Sequence, residues 1–374
     1  MAEELYRPGL EGVIATETAI SFLDVEREEI VVRGYNLLDL ARERTYVDVV
    51  GLLIDGRLPD EQERAELERR LLDTAEVPAQ IWEILRLLPA RMHAMDRLRT
   101  AISALGGFDP GVERVDPEQD RESGLRIVAQ AATIVANLMR VREGEQPLGP
   151  DPSRSFPENF LRMITGREAS PAEVRVFDQA LIAYSEHELP NSTFAARVIA
   201  STLADIYGAL TGAVASLKGP LHGGANEAVM TMLLEAGDEE GIERWIRERL
   251  ARKERIMGFG HRVYMRRMDP RAQLLKETLA RLVAERGDAE GQKLLRMCER
   301  AERVMHAEKG LYPNLDYYAA PVFYVLGIPI ELYTPIFFAA RTAGLVAHVV
   351  EQHAHNRLFR PRARYTGPRG LKPA

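Results

Sequence analysis

The chain has 374 residues, of which 46% are hydrophobic and 28% are charged, and its formal net charge is −7. This size and composition predict a soluble globular protein with room for two domains, and the lack of any long apolar run excludes a membrane-spanning helix. An acidic balance without a block of Lys or Arg argues against nucleic-acid binding, and a single cysteine, Cys298, excludes an intrachain disulfide framework and a thiolate zinc site.

The N-terminal region is the part of the sequence with strand periodicity. Its first residues, MAEELYRPGLEG, are acidic and contain no apolar signal core, so we expect a cytoplasmic location. The segments TAISFLD and EIVVRGY alternate apolar and polar residues on either side of VERE. This alternation predicts a small β-hairpin within the first forty residues.

Helical periodicity dominates the chain after this hairpin. Asp60 precedes the segment EQERAELERRLLD, and Ser170 and Glu173 form a capping box around Pro171, so each pattern predicts the start of a helix. EQDRESGLRIVAQAATIVANLMRVREG predicts a long amphipathic helix, and residues 143–157, rich in Pro, Gly and Ser, predict an exposed loop.

The second half of the chain also reads as helical. FAARVIASTLADIYGALTGAVASLKGP is rich in small residues and predicts one buried helix that ends at GPLHGGANEAVM. A second helical unit is expected up to about residue 325, followed by an apolar helix over PIFFAARTAGLVAHVVEQ. The predicted fold class is therefore all-α, with a minor N-terminal β element.

Five segments contain polar residues of the kinds that carry chemistry. They are SEHELPNSTFAARV with His187, KGPLHGGANE with His222, RIMGFGHRVYMRRMDPRA with His261 and Arg271, LYPNLDYYAAP with Asp316, and FFAARTAGL through NRLFRPRARY with Arg341 and Arg360. Each residue alone also has an ordinary structural explanation. A histidine near a helix end often caps carbonyls, an arginine is usually a surface ion-pair member, and Asp316 could cap a helix that begins at Tyr317.

In combination, KGPLHGGANE, MGFGHRVY with DPRA, YPNLDYY and the late arginines resemble the signature segments of the citrate synthase family, in matching order. The resemblance covers essentially the whole chain, from GLEGVIATETAISFLD to RPRARYTG. It implies a two-domain helical fold and a homodimer with shared active sites. The large domain would comprise residues 1–220 and 326–374, the small domain residues 221–325, and the active site the cleft between them.

The resemblance also implies the role of each matching residue. Asp316 would remove a proton from the methyl group of acetyl-CoA, His222 would bond the thioester carbonyl, and His261 would protonate the carbonyl oxygen of oxaloacetate. The remaining positions would bind substrates: His187, Arg271, Arg341 and Arg360 the oxaloacetate, with Arg360 supplied by a partner subunit, and Arg255, Ile256, Met257, Gly258 and Phe259 the coenzyme A.

These residue types suit a condensation of that kind. A carboxylate can deprotonate the weak carbon acid beside a thioester only if the charge on the carbonyl oxygen is stabilised at the same time, and neutral imidazole can donate that hydrogen bond. A dicarboxylate calls for arginine, whose planar guanidinium binds carboxylates with two parallel bonds. Coenzyme A brings its own activated thioester and is a substrate, so we expect no tightly bound cofactor and no metal.

Three departures from the family pattern bear on substrate fit. The segment between His261 and Asp269 is one residue longer than usual, which makes the placement of Arg271 less secure. Ala319 and Ala320 stand where Ser-Gly is familiar, and Pro190 stands where asparagine is often found.

The sequence leaves other functions open. A 2-methylcitrate synthase would use the same residues on propionyl-CoA, and one methylene in an apolar pocket changes binding by only about 1–3 kcal/mol. His348, Glu351 and His355 have the helical spacing of a metal site. A non-catalytic paralogue is a third possibility, although His222, His261 and Asp316 are all retained. GFGH lacks the strand and third glycine of a dinucleotide-binding motif.

Overall fold

Most of the helices begin after a residue whose side chain caps the first turn. The computed structural model describes residues 6–24, 26–27, 29–261 and 263–372. In this part of the chain, a three-stranded antiparallel sheet is followed by sixteen α-helices, with three short 3-10 turns between elements. The predicted all-α class with a small N-terminal β element is confirmed.

The bounds of the elements are as follows. The strands are β1 (Ser21–Asp24), β2 (Glu29–Val32) and β3 (Tyr35–Asn36). The helices of the first half are α1 (Leu37–Glu43), α2 (Tyr46–Asp55), α3 (Glu61–Asp73), α4 (Ala79–Leu87), α5 (Ala94–Leu105), α6 (Pro117–Arg142), α7 (Phe156–Thr165) and α8 (Pro171–Ser185). Those of the second half are α9 (Asn191–Ala200), α10 (Ile206–Leu217), α11 (Ala225–Ala236), α12 (Glu239–Ala251), α13 (Pro270–Glu285), α14 (Ala289–Lys309), α15 (Leu315–Val325) and α16 (Tyr333–Ala354).

The N-terminal hairpin forms where its alternating pattern predicts it. Ser21 pairs with Val32 and Asp24 with Glu29, and Ile30 and Val32 are buried, as period-two alternation requires. The third strand, β3, has only two residues, which is too short for a periodic signal. The hairpin thus places Ser21 against the helical body.

Two capping boxes fix helix starts at the predicted residues. The side chain of Asp60 accepts a hydrogen bond from the backbone N–H of Glu63 at the start of α3, and Ser170 accepts one from Glu173 at the start of α8. In both helices the carboxylate at N3 accepts a hydrogen bond from the backbone N–H of the cap residue, so these backbone donors are satisfied within the first turn.

The prediction of one long helix over FAARVIASTLADIYGALTGAVASLKGP is wrong, because residues 201–205 separate α9 from α10. Leu203 adopts a left-handed conformation with φ 64°, and the Asp205 side chain accepts from the backbone N–H of Gly208 and caps α10. The two helices pack against each other so closely that a Cβ on Gly212 would lie 2.1 Å from Ile199 Cδ1. The small residues therefore serve close packing, as expected, but between two helices.

The core is organised around α16. This helix is buried along nearly its whole length and packs on α2, α6, α8, α9 and α10. Helices α11 to α15 pack largely on one another, with α11 also touching α16 and α13 touching α8. The elements that carry the candidate site residues meet between these two groups. Over the described ranges, no helix has the length and hydropathy that crossing a bilayer would require.

Candidate active site

The predicted site residues lie on separate elements that converge. His187 follows the end of α8, His222 lies in the α10–α11 turn, and Asp316 is in the first turn of α15. His261 lies in the loop before α13, Arg271 in the first turn of α13, and Arg341 in the middle of α16.

Asp316 is a buried carboxylate held by a tyrosine. Tyr184 Oη donates to Asp316 Oδ1 over 2.7 Å, which leaves Oδ2 outside this bond. Burial raises the pKa of Asp316 to about 6, although the Tyr184 hydrogen bond and the charge of Arg271 act to lower it. Asp316 therefore remains an ionised base at neutral pH but is more basic than an exposed aspartate. The helix cap here is Asn314, so Asp316 is not the cap residue.

The ring of His222 has a defined tautomer. The backbone N–H of Ser192 donates to Nε2 over 3.2 Å, and Ser192 Oγ lies 2.8 Å from the same nitrogen. A backbone N–H can only donate, so Nε2 carries the lone pair and Nδ1 carries the proton of the neutral ring. Burial and the positive charge of Arg341 lower the pKa of His222 to about 4. His222 is thus a neutral donor through Nδ1.

His261 and His187 pack edge to face and both contact the ring of Tyr264. The His261 ring lies 5.3 Å from His187 and 4.7 Å from Tyr264 between centroids. The Val263 backbone N–H donates to His261 Nδ1 over 3.0 Å, so the neutral ring carries its proton on Nε2. Burial and the Arg271 charge lower the pKa of His261 to about 4 and that of His187 well below its usual value. Both rings are therefore neutral.

Arg271 is buried and paired with Asp269. Its Nε donates to Asp269 Oδ1 over 3.0 Å and its Nη2 to Oδ2 over 2.7 Å. Burial opposes the charge, yet the Asp269 carboxylate raises the pKa of Arg271 above its usual value. The pair uses two of the five guanidinium N–H groups, so the others can meet a ligand carboxylate. The longer segment before Asp269 does not prevent this pairing.

Arg341 lies next to Tyr184 and Phe337. Its Nε donates to the Tyr184 carbonyl over 2.6 Å, and its guanidinium carbon lies 5.0 Å from the centre of the Phe337 ring. Burial lowers the pKa of Arg341 to about 10, while the Glu186 carboxylate acts to raise it. Arg341 remains charged at neutral pH and has no carboxylate within ion-pair distance among the described residues.

A cavity of about 470 Å³ opens beside His261, within the size range of ligand sites. Arg255, Ile256 and Phe259, three of the predicted coenzyme A positions, line it together with Leu250, Glu254, Gly260, His261, Met265, Met305, Lys309 and Leu311. Met257 and Gly258 do not line this cavity. Gly258 instead packs on Tyr317, with φ +85°, and its carbonyl accepts from the Asn314 backbone.

The structure does not bring Arg360 to the other site residues. It lies beyond α16 in the exposed C-terminal segment, and its Nη1 donates to the carbonyl of Pro361 over 3.3 Å.

The alternative of a metal site on α16 finds no support in the geometry. His348 Nδ1 lies 2.9 Å from Arg197 Nη1, and Glu351 accepts from the same guanidinium over 2.8 Å. His355 is exposed at the end of the helix. Across residues 6–24, 26–27, 29–261 and 263–372, no three His, Cys, Asp or Glu side chains are grouped as metal ligands.

Three side chains at the site were not singled out from the sequence. Tyr184 bonds Asp316, Ser192 bonds His222, and Tyr264 Oη lies 3.2 Å from His187 Nε2. Each stands within a few residues of a predicted histidine, in YSEH, HELPNS and HRVY. Proximity in sequence was the available signal, but their partners lie on distant elements.

Known proteins that resemble this chain share one family. The family model described as "Citrate synthase, C-terminal domain" matches residues 9–362. The citrate/2-methylcitrate synthase of Bacillus subtilis (strain 168) is 54% identical over 97% of both chains, and the citrate synthase of Heyndrickxia coagulans is 54% identical over 98% of this chain and 97% of its own. The citrate synthase of Thermoplasma acidophilum, solved as a ternary complex with carboxymethyl coenzyme A and oxaloacetate, superimposes with a TM-score of 0.92 at 32% identity, over 100% of this chain and 99% of the other. The matched segments, the fold and these relatives together establish that the chain belongs to the citrate synthase family.

Proposed function

We propose that the protein condenses acetyl-CoA with oxaloacetate and water to give citrate and free coenzyme A. The observation that carries the proposal is a buried carboxylate, Asp316, bonded to Tyr184, together with two buried neutral histidines whose tautomers are fixed by backbone hydrogen bonds, His222 and His261. Such a set suits proton removal from a carbon acid followed by attack on a carbonyl. The citrate synthases among its relatives support the same reaction, a step of the tricarboxylic acid cycle.

In the first step, Asp316 takes a proton from the methyl carbon of acetyl-CoA. The electrons of the broken C–H bond form the enol double bond, and charge accumulates on the thioester oxygen. His222 stabilises that oxygen with a hydrogen bond from Nδ1–H. The bond from the Ser192 backbone to Nε2 supports this assignment, because it keeps the donating nitrogen free for substrate.

In the second step, the enol carbon attacks the carbonyl carbon of oxaloacetate and forms the new C–C bond. His261 donates the proton on Nε2 to the oxaloacetate carbonyl oxygen, which becomes the hydroxyl of citryl-CoA. Water then hydrolyses the thioester and releases citrate and coenzyme A. The Val263 hydrogen bond to Nδ1 supports Nε2 as the proton donor.

Oxaloacetate is held by the cationic and imidazole side chains of the site. Arg271 and Arg341 bind its carboxylates and His187 bonds it through the ring nitrogen. The burial of His187, Arg271 and Arg341 supports these roles, because ion pairs and charge-assisted hydrogen bonds are stronger where water is excluded. Arg360 of a second subunit completes the set in a homodimer with shared active sites.

Coenzyme A lies against Arg255, Ile256, Met257, Gly258 and Phe259, as a substrate. The cavity beside His261 supports this position for Arg255, Ile256 and Phe259, which line it, and the family relative bound to a coenzyme A analogue supports coenzyme A as the substrate. Neither a metal nor a tightly bound cofactor takes part. Residues 221–325 form the small domain, and residues 1–220 with 326–374 the large one, which the packing of α11 to α15 on one another supports.

The decisive experiment measures thiol release with acetyl-CoA and propionyl-CoA in parallel, each with and without oxaloacetate. We expect oxaloacetate-dependent release that is faster with acetyl-CoA. Preference for propionyl-CoA would assign the protein as a 2-methylcitrate synthase, an activity included in the name of the Bacillus subtilis relative. No release with either thioester would leave a non-catalytic paralogue. The cytoplasmic location stays a prediction that cell fractionation tests.

A further inference from the structure

The turn that presents His187 is held in a strained conformation. Helix α8 ends at Ser185, Glu186 is extended with φ −152°, and Glu188 is left-handed with φ +61°. A non-glycine residue in this region costs about 1 kcal/mol or more, so it persists only where surrounding contacts hold it. The contacts that hold this turn therefore also set the position of His187.

Ser21 of β1 bonds both residues that flank His187. Its hydroxyl donates to Glu186 Oε1 over 2.8 Å and accepts from the backbone N–H of Glu188 over 3.0 Å. Ser21 and Glu186 are both buried. One hydroxyl from the N-terminal sheet thus bridges the strained turn more than 160 residues away in sequence.

A buried polar chain supports the same carboxylate from the other side. His348 Nδ1 meets Arg197, and a guanidinium can only donate, so His348 Nε2–H is the donor to Glu186 Oε1, 3.2 Å away. Arg197 also bonds Glu351, whose Oε1 accepts from the backbone N–H of Ala19 over 2.8 Å. This series of hydrogen bonds therefore ends at Ala19 in the N-terminal segment, two residues before Ser21.

The second oxygen of Glu186 provides no further anchor. Oε2 is buried without a hydrogen-bond partner, and a Cβ on Gly344 would lie 2.3 Å from it, so α16 fills the space on that side. The orientation of the carboxylate therefore depends on the two bonds at Oε1. If Ser21 lost its hydroxyl, Glu186 would keep only the His348 bond, and Glu188 would lose its acceptor.

We propose that Ser21 is a positioning residue for oxaloacetate, acting through Glu186 and Glu188 to fix the turn that presents His187. The inference rests on the proposed function, in which His187 bonds oxaloacetate. Ser21 touches no substrate in this proposal. Through this turn, Ser21 of the N-terminal sheet affects the binding of oxaloacetate but not of coenzyme A, which is assigned to the loop of residues 255–259.

The test is the kinetics of Ser21→Ala. The expected result is a rise of about tenfold in the KM for oxaloacetate, because without the Ser21 bonds the turn no longer holds His187 in its binding position. The KM for acetyl-CoA and the kcat should stay within about twofold, because the base and both catalytic donors keep their own partners. Calorimetric titration of oxaloacetate without coenzyme A should show the same loss of affinity.

Three variants control the interpretation. Ser21→Thr keeps the hydroxyl and should restore oxaloacetate binding. Ser123→Ala removes another buried hydroxyl that donates to a carboxylate, that of Asp109 over 2.6 Å, and should lower stability without changing either KM. Should Ser21→Ala not fold, Ser21→Cys keeps the size with a weaker donor and should give an intermediate KM.

An unchanged KM for oxaloacetate in folded Ser21→Ala, or an equal rise for both substrates, would overturn the positioning role. If the wild-type protein itself releases no thiol from acetyl-CoA with oxaloacetate, the proposed function is wrong, which is a separate outcome.

Discussion

At the scale of single residues, burial gives the three catalytic groups complementary states at neutral pH. It raises the pKa of Asp316 to about 6 and, aided by nearby arginine charges, lowers those of His222 and His261 to about 4. The carboxylate is therefore mostly charged and the imidazoles are neutral between about pH 7 and 8. A base and two hydrogen-bond donors are thus available together without any proton rearrangement.

The first prediction concerns the base. Asp316→Asn should lower kcat by roughly 10²–10⁴, the usual contribution of a positioned general base. In the wild-type protein, kcat/KM should fall about tenfold per pH unit below about pH 6, because protonated Asp316 cannot accept the methyl proton. Thiol release measured from pH 5 to 8 checks both expectations.

The control for this substitution is Asp178→Asn. Burial also raises the pKa of Asp178 to about 6, but its carboxylate accepts from the Tyr46 backbone, away from the candidate site. It should keep most of its turnover. Near wild-type turnover in folded Asp316→Asn would refute the assignment of the base.

The second prediction is that Asp316→Asn stabilises the fold at neutral pH. Because burial raises the folded pKa of Asp316 above its unfolded value, its contribution to stability is fully present below pH 4 and is lost as pH rises through about 6. Asparagine does not ionise, so the variant should not lose the free energy of unfolding that the wild type loses as Asp316 ionises. That loss is about 3 kcal/mol, the equivalent of about two pKa units. Urea unfolding should give similar free energies of unfolding for the variant and the wild type at pH 4, and a higher value for the variant at pH 7.5. A difference in the free energy of unfolding that does not change with pH would contradict this linkage.

At the scale of elements, the loop before α13 is fastened to the turn that carries Asp316. The Gly258 carbonyl accepts from the Asn314 backbone over 2.9 Å, and the Gly260 N–H donates to the Tyr312 carbonyl over 2.8 Å. These bonds make a short antiparallel bridge between Phe259 and Pro313. The proposed coenzyme A loop is therefore joined by backbone hydrogen bonds to the segment that precedes the proposed base.

The third prediction tests this connection. Gly258→Ala should destabilise the protein by about 2 kcal/mol or more and raise the KM for acetyl-CoA, because φ is +85° and the new Cβ would lie 2.5 Å from Val229 Cγ2 and 2.9 Å from Tyr317 Cδ2. Gly237→Ala is the matched control, since its φ is +77° but no atom lies within 4 Å of the added carbon. Equal thermal shifts for the two variants would show that backbone strain alone, without the clash, sets the cost.

Local signals decided which elements could be predicted from the sequence. The helix starts at Asp60 and Ser170 follow from caps within four residues, so they were predictable. The break between α9 and α10 was missed, because the small apolar residues continue on both sides of Asp205 and its capping role appears only in the fold.

The candidate site was predictable as a set of residues but not as a geometry. His187, His222, His261 and Asp316 stand in distinctive segments. In the structure, Asp316 and His222 contact the neighbouring rings of Tyr184 and Phe337, whereas His187 and His261 contact Tyr264. The hydrogen bond from Tyr184 to Asp316 joins residues 132 positions apart, and no local pattern encodes it. The pKa values and ring tautomers depend on such long-range contacts.

At the scale of the whole molecule, the C-terminal segment after α16 is largely exposed on the single chain. Residues 355–372 contain no helix or strand, and Leu358, Tyr365 and Leu371 are exposed. Phe359 packs against Phe194 of α9, 5.6 Å between ring centroids, and its backbone N–H donates to Ser201 Oγ over 3.1 Å. Exposed apolar residues next to Arg360 suit a contact with a second subunit.

The fourth prediction is that Arg360 acts in the active site of the partner subunit. Mixing an inactive Arg360→Ala subunit with an inactive Asp316→Asn subunit should restore activity, because each mixed dimer then has one site with both lesions and one with neither. A twofold dimer exchanges the same residue in both directions, so equal mixing should restore about a quarter of the wild-type activity, from half of the dimers and one of their two sites. Thiol release after proven subunit exchange is the measurement.

Arg341 provides the matched control for this exchange. It is buried in α16 and bonded to Tyr184 of its own chain, so Arg341→Ala mixed with Asp316→Asn leaves one lesion in each site of the mixed dimer. That mixture should stay inactive. If the Arg360→Ala mixture stays inactive as well, despite subunit exchange, Arg360 acts within its own chain or has no catalytic role. If both mixtures regain activity, the recovery does not come from a shared site, because Arg341 and Asp316 belong to one chain.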